Sequence, residues 1–205
     1  MINKKGLFVT FEGPEASGKS SQITLLKNYF LKNKIPFIIT REPGGTILSE
    51  KLRKLILSNK SQINNLEEIL LLMAARSNHI NNIILPNLKK GKFVISDRFA
   101  DSTFVYQGYV NKFGIEQTKN LHKKLLNNFL PHKTFLFELS TELIISRLKD
   151  RKLKNKYDKL DKKFHDAVNK GYKLISKNNR FIKIDASKSI NQIHYNIINY
   201  INSLI

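Results

Sequence analysis

With 205 residues, 41% of them hydrophobic, the chain can bury one good core and is too apolar for a disordered polypeptide. No apolar run is long enough for a bilayer span, and the lack of cysteine excludes disulfides and thiolate metal sites. The unusual quantity is a net charge of +20, which draws anions and puts both nucleic acid and nucleotides among the partners to weigh.

Met1 to Lys5 is basic, but the short apolar run behind it, Leu7 to Phe11, leads into a glycine-rich loop and reads as a first strand, not a signal peptide. Gly13 to Ser20 spells GPEASGKS, a full Gly-x-x-x-x-Gly-Lys-Ser phosphate loop, and a helical pattern follows over Gln22–Leu31. Strand, loop and helix in that order aim backbone N–H groups and the positive helix end at one point, where a triphosphate fits. Gly13, Pro14, Glu15, Ala16, Ser17, Gly18, Lys19, Ser20 and Ser21 are therefore the expected ATP cradle. Lys19 would reach the β- and γ-phosphates, and Ser20 would ligate Mg²⁺.

A second strand, Phe37–Thr40, ends in Arg41-Glu42-Pro43-Gly44-Gly45-Thr46. Pro and paired Gly force a tight turn there. It either connects strand to helix and nothing more, or uses a cis Pro43 to aim Arg41 and Glu42 into a cleft. Helical patterns cover Ile47–Leu57 and Leu66–Leu88, and a third strand, Phe93–Ser96, runs into Asp97 and Arg98. A carboxylate at a strand tip beside a phosphate loop can hold Mg²⁺, and a guanidinium next to it can fork onto a different phosphate. The competing reading is an ordinary ion pair at a strand end. Helix Asp101–Asn128, strand Thr134–Leu139, helices Thr141–Arg151 and Lys163–Ser176, strand Phe181–Ile184 and helix Ser189–Leu204 complete the chain. Such alternation predicts an α/β fold, a doubly wound parallel sheet of five strands covered on both faces, with ligands at the carboxyl ends. One domain over residues 1–205 and a cytoplasmic enzyme are expected.

TFEGPEASGKS, TREPGGT, AAR at Ala74–Arg76, DRFADST with YQGY between Asp97 and Tyr109, and FH followed by GY (Phe164, His165, Gly171, Tyr172) occur in one order along nearly the whole chain. Together they resemble the thymidylate kinase family, bacterial type. The resemblance implies a phosphate-loop NTPase fold, three-layered α/β/α with a helical lid over about 147–163. It also implies transfer of the ATP γ-phosphoryl to dTMP with Mg²⁺, in a homodimer. On that resemblance Glu15 would hold the dTMP 3′-hydroxyl and Arg98 its phosphate, with Arg41 nearby. Arg76 would bond a thymine carbonyl, Thr103 and Gln107 the other base edge, and Tyr106 would crowd C2′. Glu42, Pro43, Arg53, Leu72 and Ser102 complete the implied dTMP pocket, and Ser20 and Asp97 the implied metal ligands.

This chain departs from the family pattern in two places. The lid position that usually carries a catalytic Arg is Lys156, with Arg151 as a possible sharer of its charge among Arg147, Lys152 and Lys154. Lysine supplies charge without the two-pronged grip of a guanidinium. Leu72 stands where the family has a Phe against thymine, four residues before Arg76. Other readings are a kinase for another nucleotide or a deoxynucleoside, and an ATPase working on nucleic acid through the +20 charge, although no aromatic residues alternate with the lysines. Asn155-Lys156-Tyr157-Asp158 matches the guanine-reading motif of GTPases, but no apolar strand precedes it.

Overall fold

The computed structural model describes residues 6–58, 60–149, 157 and 160–204. All five expected strands form: β1 (Phe8–Glu12), β2 (Phe37–Arg41), β3 (Phe93–Asp97), β4 (Lys133–Glu138) and β5 (Phe181–Asp185). Each ends on a charged residue, so most run one step beyond the apolar pattern, because ladder pairing continues to the polar edge. They make one parallel sheet in the order β2-β3-β1-β4-β5. The winding reverses on either side of β1, and the crevice at its carboxyl end is the place where such sheets bind ligands.

Alternation along the strands divides the interior into two layers. Val9 and Phe11 of β1 face one side with Ile95, Phe135 and Phe137. There they meet Ile23, Leu26 and Phe30 of α1 (Lys19–Lys32), Ile144 and Leu148 of α7 (Thr141–Lys149), and Ile193, Ile197 and Ile201 of α9 (Ile190–Asn202). Phe8, Val94 and Leu136 face the other side, against α3 (Asn65–His79), α6 (Ile115–Leu126) and α8 (Lys162–Ile175). The helix α2 (Ile47–Leu57) spans the expected residues and is capped by Thr46, whose hydroxyl accepts the Ser49 N–H. Asn64 and Glu67 close a reciprocal cap on α3.

Two expected helices are interrupted. Leu66–Leu88 is resolved as α3, a π-helical turn at Ile80–Ile84 and α4 (Leu85–Lys89). Pro86 has no N–H to give the preceding turn, and the wider turn comes immediately before it. Asp101–Asn128 becomes α5 (Ala100–Thr103), a π-helical stretch at Phe104–Val110, and α6. The break between the last two falls where Lys112 and Gly114 take positive φ values of 59° and 104°. Helix α1 begins at Lys19, three residues before the expected Gln22, because Gly18 at φ 91° turns the loop into it. Among the described residues, no helix is long and apolar enough to cross a membrane.

Candidate active site

Beyond β1 the chain bends at Gly13, whose φ of 134° and close neighbour demand glycine. A Cβ there would lie 2.5 Å from the Phe137 carbonyl oxygen of β4. The loop then wraps Lys19, whose Nζ donates to the carbonyls of Gly13 (3.1 Å) and Pro14 (2.6 Å) and to Ser17 Oγ (3.2 Å). Burial, and then the Arg98 guanidinium, pull the Lys19 ammonium down to about 8. At the next residue, Ser20 Oγ donates to Asp97 Oδ2 of β3 at 3.1 Å. A hydroxyl and a carboxylate suit a hard divalent cation that keeps its other positions for water and phosphate oxygens. Among the described residues no group of three or more His, Cys, Asp or Glu could hold a metal alone. The residues thus fit Mg²⁺ shared with a nucleotide better than a resident metal.

Arg98 holds a left-handed backbone, φ 68°, a rare conformation for a residue with a side chain. Its N–H bonds Phe11 O at 3.0 Å, and Ser96 Oγ donates to its carbonyl at 2.7 Å. The guanidinium therefore turns back over β1. Nη1 donates to Gly13 O (3.0 Å), Ser102 Oγ (3.0 Å) and Tyr172 OH (3.1 Å), and Nη2 to Glu15 Oε1 (2.8 Å). The Tyr106 ring lies 5.2 Å from its centre, and the Tyr106 hydroxyl donates to Glu15. Burial alone would raise the Glu15 carboxyl; Arg98, Lys19 and the Tyr106 hydroxyl outweigh it and hold Glu15 below the usual carboxylate range.

A narrow cleft of ≈ 70 Å³ opens beside Arg98. Glu15, Glu42, Pro43, Leu72, Arg76, Arg98, Ser102, Thr103, Tyr106 and Gln107 line it. At its base, 2% exposed, Arg76 donates from Nε to Glu42 Oε2 (2.7 Å) and from Nη2 to Thr103 Oγ1 (2.7 Å). Its Nη1 meets only the weakly accepting Met73 sulfur, at 3.9 Å, among the described residues. The other Glu42 oxygen pairs with His79 Nδ1 at 2.8 Å. Burial pushes Glu42 up, but Arg76 and then His79 bring its carboxyl below the ordinary value. Gln107 Nε2 and the Tyr157 hydroxyl both donate to Glu68 Oε1, at 3.0 and 2.8 Å.

A second cavity, ≈ 650 Å³, joins this cleft to the phosphate loop. Glu15 to Ser21 line one side, and Arg41, Arg53, Asp97, Arg98 and Arg147 are among the residues on the other. Gly13 and Pro14 serve it through their carbonyls on Lys19. The Glu42–Pro43 peptide is cis, and the two preceding side chains part company. Glu42 enters the base of the first cleft, whereas Arg41 stays at the rim, where its Nη2 donates to both Glu50 oxygens. Arg53 Nη1 donates to Pro43 O at 2.7 Å. Arg147 braces the loop through Ala16 O and Ala186 O. Arg151, Lys152, Lys154, Lys156 and Asp158 lie outside the described residues; of the expected lid, Arg147–Lys149 ends α7 and Tyr157 lines both cavities. Of the stretch before the GTPase-like string, Arg147–Lys149 belongs to α7, and Asn155, Lys156 and Asp158 lie outside the described residues.

Sequence reasoning passed over Glu12, Glu68 and Tyr157. Glu12 directly precedes the loop glycine, but its burial and its partners are visible only in the structure.

Two anion-ready cavities meet at one sheet edge, one built on a phosphate loop and one on Arg98, and this defines a phosphate-loop nucleotide kinase. The family model described as thymidylate kinase matches residues 11–197. A thymidylate kinase of Carboxydothermus hydrogenoformans is 38% identical over 98% of both chains. One of Ruthia magnifica is 42% identical over 92% of this chain and 94% of its own. The crystal structure of thymidylate kinase from Ehrlichia chaffeensis superposes with a TM-score of 0.75 at 32% identity, covering 96% of this chain and 98% of that one. The chain belongs to the thymidylate kinase family.

Proposed function

We propose that the enzyme transfers the γ-phosphoryl group of ATP to dTMP, giving ADP and dTDP, as a phosphotransferase with a phosphate acceptor (EC 2.7.4.9). The observation that carries this reading is the position of Arg98: one guanidinium touches both the phosphate-loop carbonyl of Gly13 and the acceptor-side Glu15. It can grip an acceptor phosphate within reach of the ATP cradle. The acceptor is already anionic, so no general base is needed. An oxygen of the dTMP phosphate forms the new bond to the γ-phosphorus, and the bridging β–γ oxygen leaves with ADP. Positioning and charge do the work.

Lys19 leaves its loop carbonyls for the β- and γ-phosphates. Mg²⁺, held by Ser20 and Asp97, would neutralise charge on the phosphate oxygens. Arg41 and Arg53 add positive charge at the acceptor side, and Arg151 and Lys156 supply it from the lid. In the smaller cleft, Arg76 Nη1 takes a thymine carbonyl, Thr103 and Gln107 meet the other base edge, and Leu72 and Pro43 give apolar contact. Ser102 backs the phosphate beside Arg98. Glu15 retains lone pairs for the sugar 3′-hydroxyl, since its two oxygens offer about four acceptor positions. Tyr106, tied to Glu15, stands where a 2′-hydroxyl would come. A homodimer is part of the proposal, supported by family membership and by the exposed Leu55 of α2 and Leu66 and Leu70 of α3; sedimentation at micromolar concentration should give twice the chain mass.

An assay of ADP release with dTMP, dUMP, CMP and thymidine tests the activity. Turnover should be greatest with dTMP and negligible with thymidine, which lacks the phosphate that Arg98 holds. ATP hydrolysis stimulated by DNA or RNA without any nucleotide acceptor would overturn the reading.

A further inference from the structure

Glu12 ends β1 beneath the phosphate loop and is completely buried. Its Oε1 accepts the N–H groups of Phe99 (2.7 Å) and Ser102 (3.4 Å). Its Oε2 accepts the hydroxyls of Ser102 (2.7 Å) and Tyr172 (2.9 Å). Those same hydroxyls are the acceptors for Arg98 Nη1, and they lie 3.1 Å from each other. The direction of this chain is fixed by chemistry. A guanidinium has no lone pair to offer, so each hydroxyl must turn an oxygen lone pair to Arg98 and its proton elsewhere. An ionised Glu12 receives those protons.

We propose that Glu12 is a positioning residue for the acceptor phosphate: its carboxylate orients the Ser102 and Tyr172 hydroxyls so that they hold Arg98, and protonation releases that hold. A proton cannot sit on Oε1, which already faces backbone N–H groups. It must go to Oε2, where it would point at the hydroxyls and send their own protons toward the guanidinium. The inference rests on Arg98 gripping the dTMP phosphate.

The switch falls in a useful range. Burial, and then Asp101, push the Glu12 carboxyl up to about 7, against the opposing effects of Arg98, Ser102 and the Phe99 N–H. The charged and titratable groups around it are Asp101 on α5, Arg98 on the preceding loop, Tyr172 on α8 and Lys19 on α1. Asp101 is itself held by Arg180 at 2.8 Å.

The test is steady-state kinetics of the wild type and Glu12→Gln between pH 6 and 8.5. A glutamine presents N–H groups to the hydroxyls and so mimics the protonated acid. The KM for dTMP should be about tenfold higher in the variant at pH 8 and nearly equal to that of the wild type at pH 6. The KM for ATP should not change. Taking the ratio of the two enzymes cancels the titration of the dTMP phosphate itself. A ratio that is constant with pH, or an equal rise in the KM for ATP, overturns the proposal. If Glu12→Gln does not fold, Tyr172→Phe removes one relay hydroxyl and keeps the carboxylate; its dTMP KM should rise about threefold, and an unchanged value overturns the proposal. A wild type with no dTMP-dependent ADP release would instead refute the kinase reading on which this one stands.

Discussion

Leu72 and Glu42 sit on the same cleft and carry opposite kinds of information. Leu72 is 7% exposed, on the cleft wall where an aromatic ring could lie against a base. Leu72→Phe should tighten dTMP binding by about 1 kcal/mol, roughly fivefold in Kd, as read by titration calorimetry. Weaker binding would show that the added ring finds no room. Glu42 neutralises Arg76 in the interior, and removing one member of such a pair costs about 3–5 kcal/mol. Its folded carboxyl lies below the ordinary value of 4.5, so the stabilisation is complete above that pH and is lost as pH falls through the lower, folded value. Glu42→Gln should therefore lower the unfolding temperature at pH 7 and flatten its decline toward pH 3, as followed by circular dichroism. At this scale the sequence was readable where a site is a continuous string, as from Gly13 to Ser21. It was silent on Glu12, whose partner Tyr172 lies 160 residues away and is brought near only by packing α8 on the sheet.

The strands and α2 were legible element by element, because short, mostly apolar runs and a Thr cap leave little choice. The helices that form the acceptor cleft were less so. Apolar periodicity does not register a π-helical turn, and the one at Phe104–Val110 buries five residues in succession, Phe104 to Gly108, where an α-helix would turn some of them out. That turn brings Tyr106 and Gln107 into the cleft together. The proposed lid, about 147–163, is the segment on which turnover should depend most. Lys156→Ala should reduce kcat by about a hundredfold and leave the KM for dTMP within about twofold, since the lost charge acts on the transferring group. Unchanged turnover would assign that charge to Arg151 or another lid residue.

For the molecule as a whole, a net charge of +20 acts on every approaching anion. The kcat/KM for dTMP should fall severalfold between 20 and 300 mM salt while kcat at saturation holds, as stopped-flow and steady-state assays would show. The general plan was readable because strand and helix patterns alternate regularly. Which helices cover which face was not, since that follows from the strand order, a matter of long-range pairing. The faces turn out to have different customers. The helix α1, which carries the proposed ATP cradle, is bedded in the layer with α7 and α9, whereas α3 and the π-helical stretch, which line the proposed acceptor cleft, belong to the opposite layer. Hidden lesions should thus be partisan: a void opened at Ile197 would blunt the grip on the donor first, and one at Val168 the choice of acceptor.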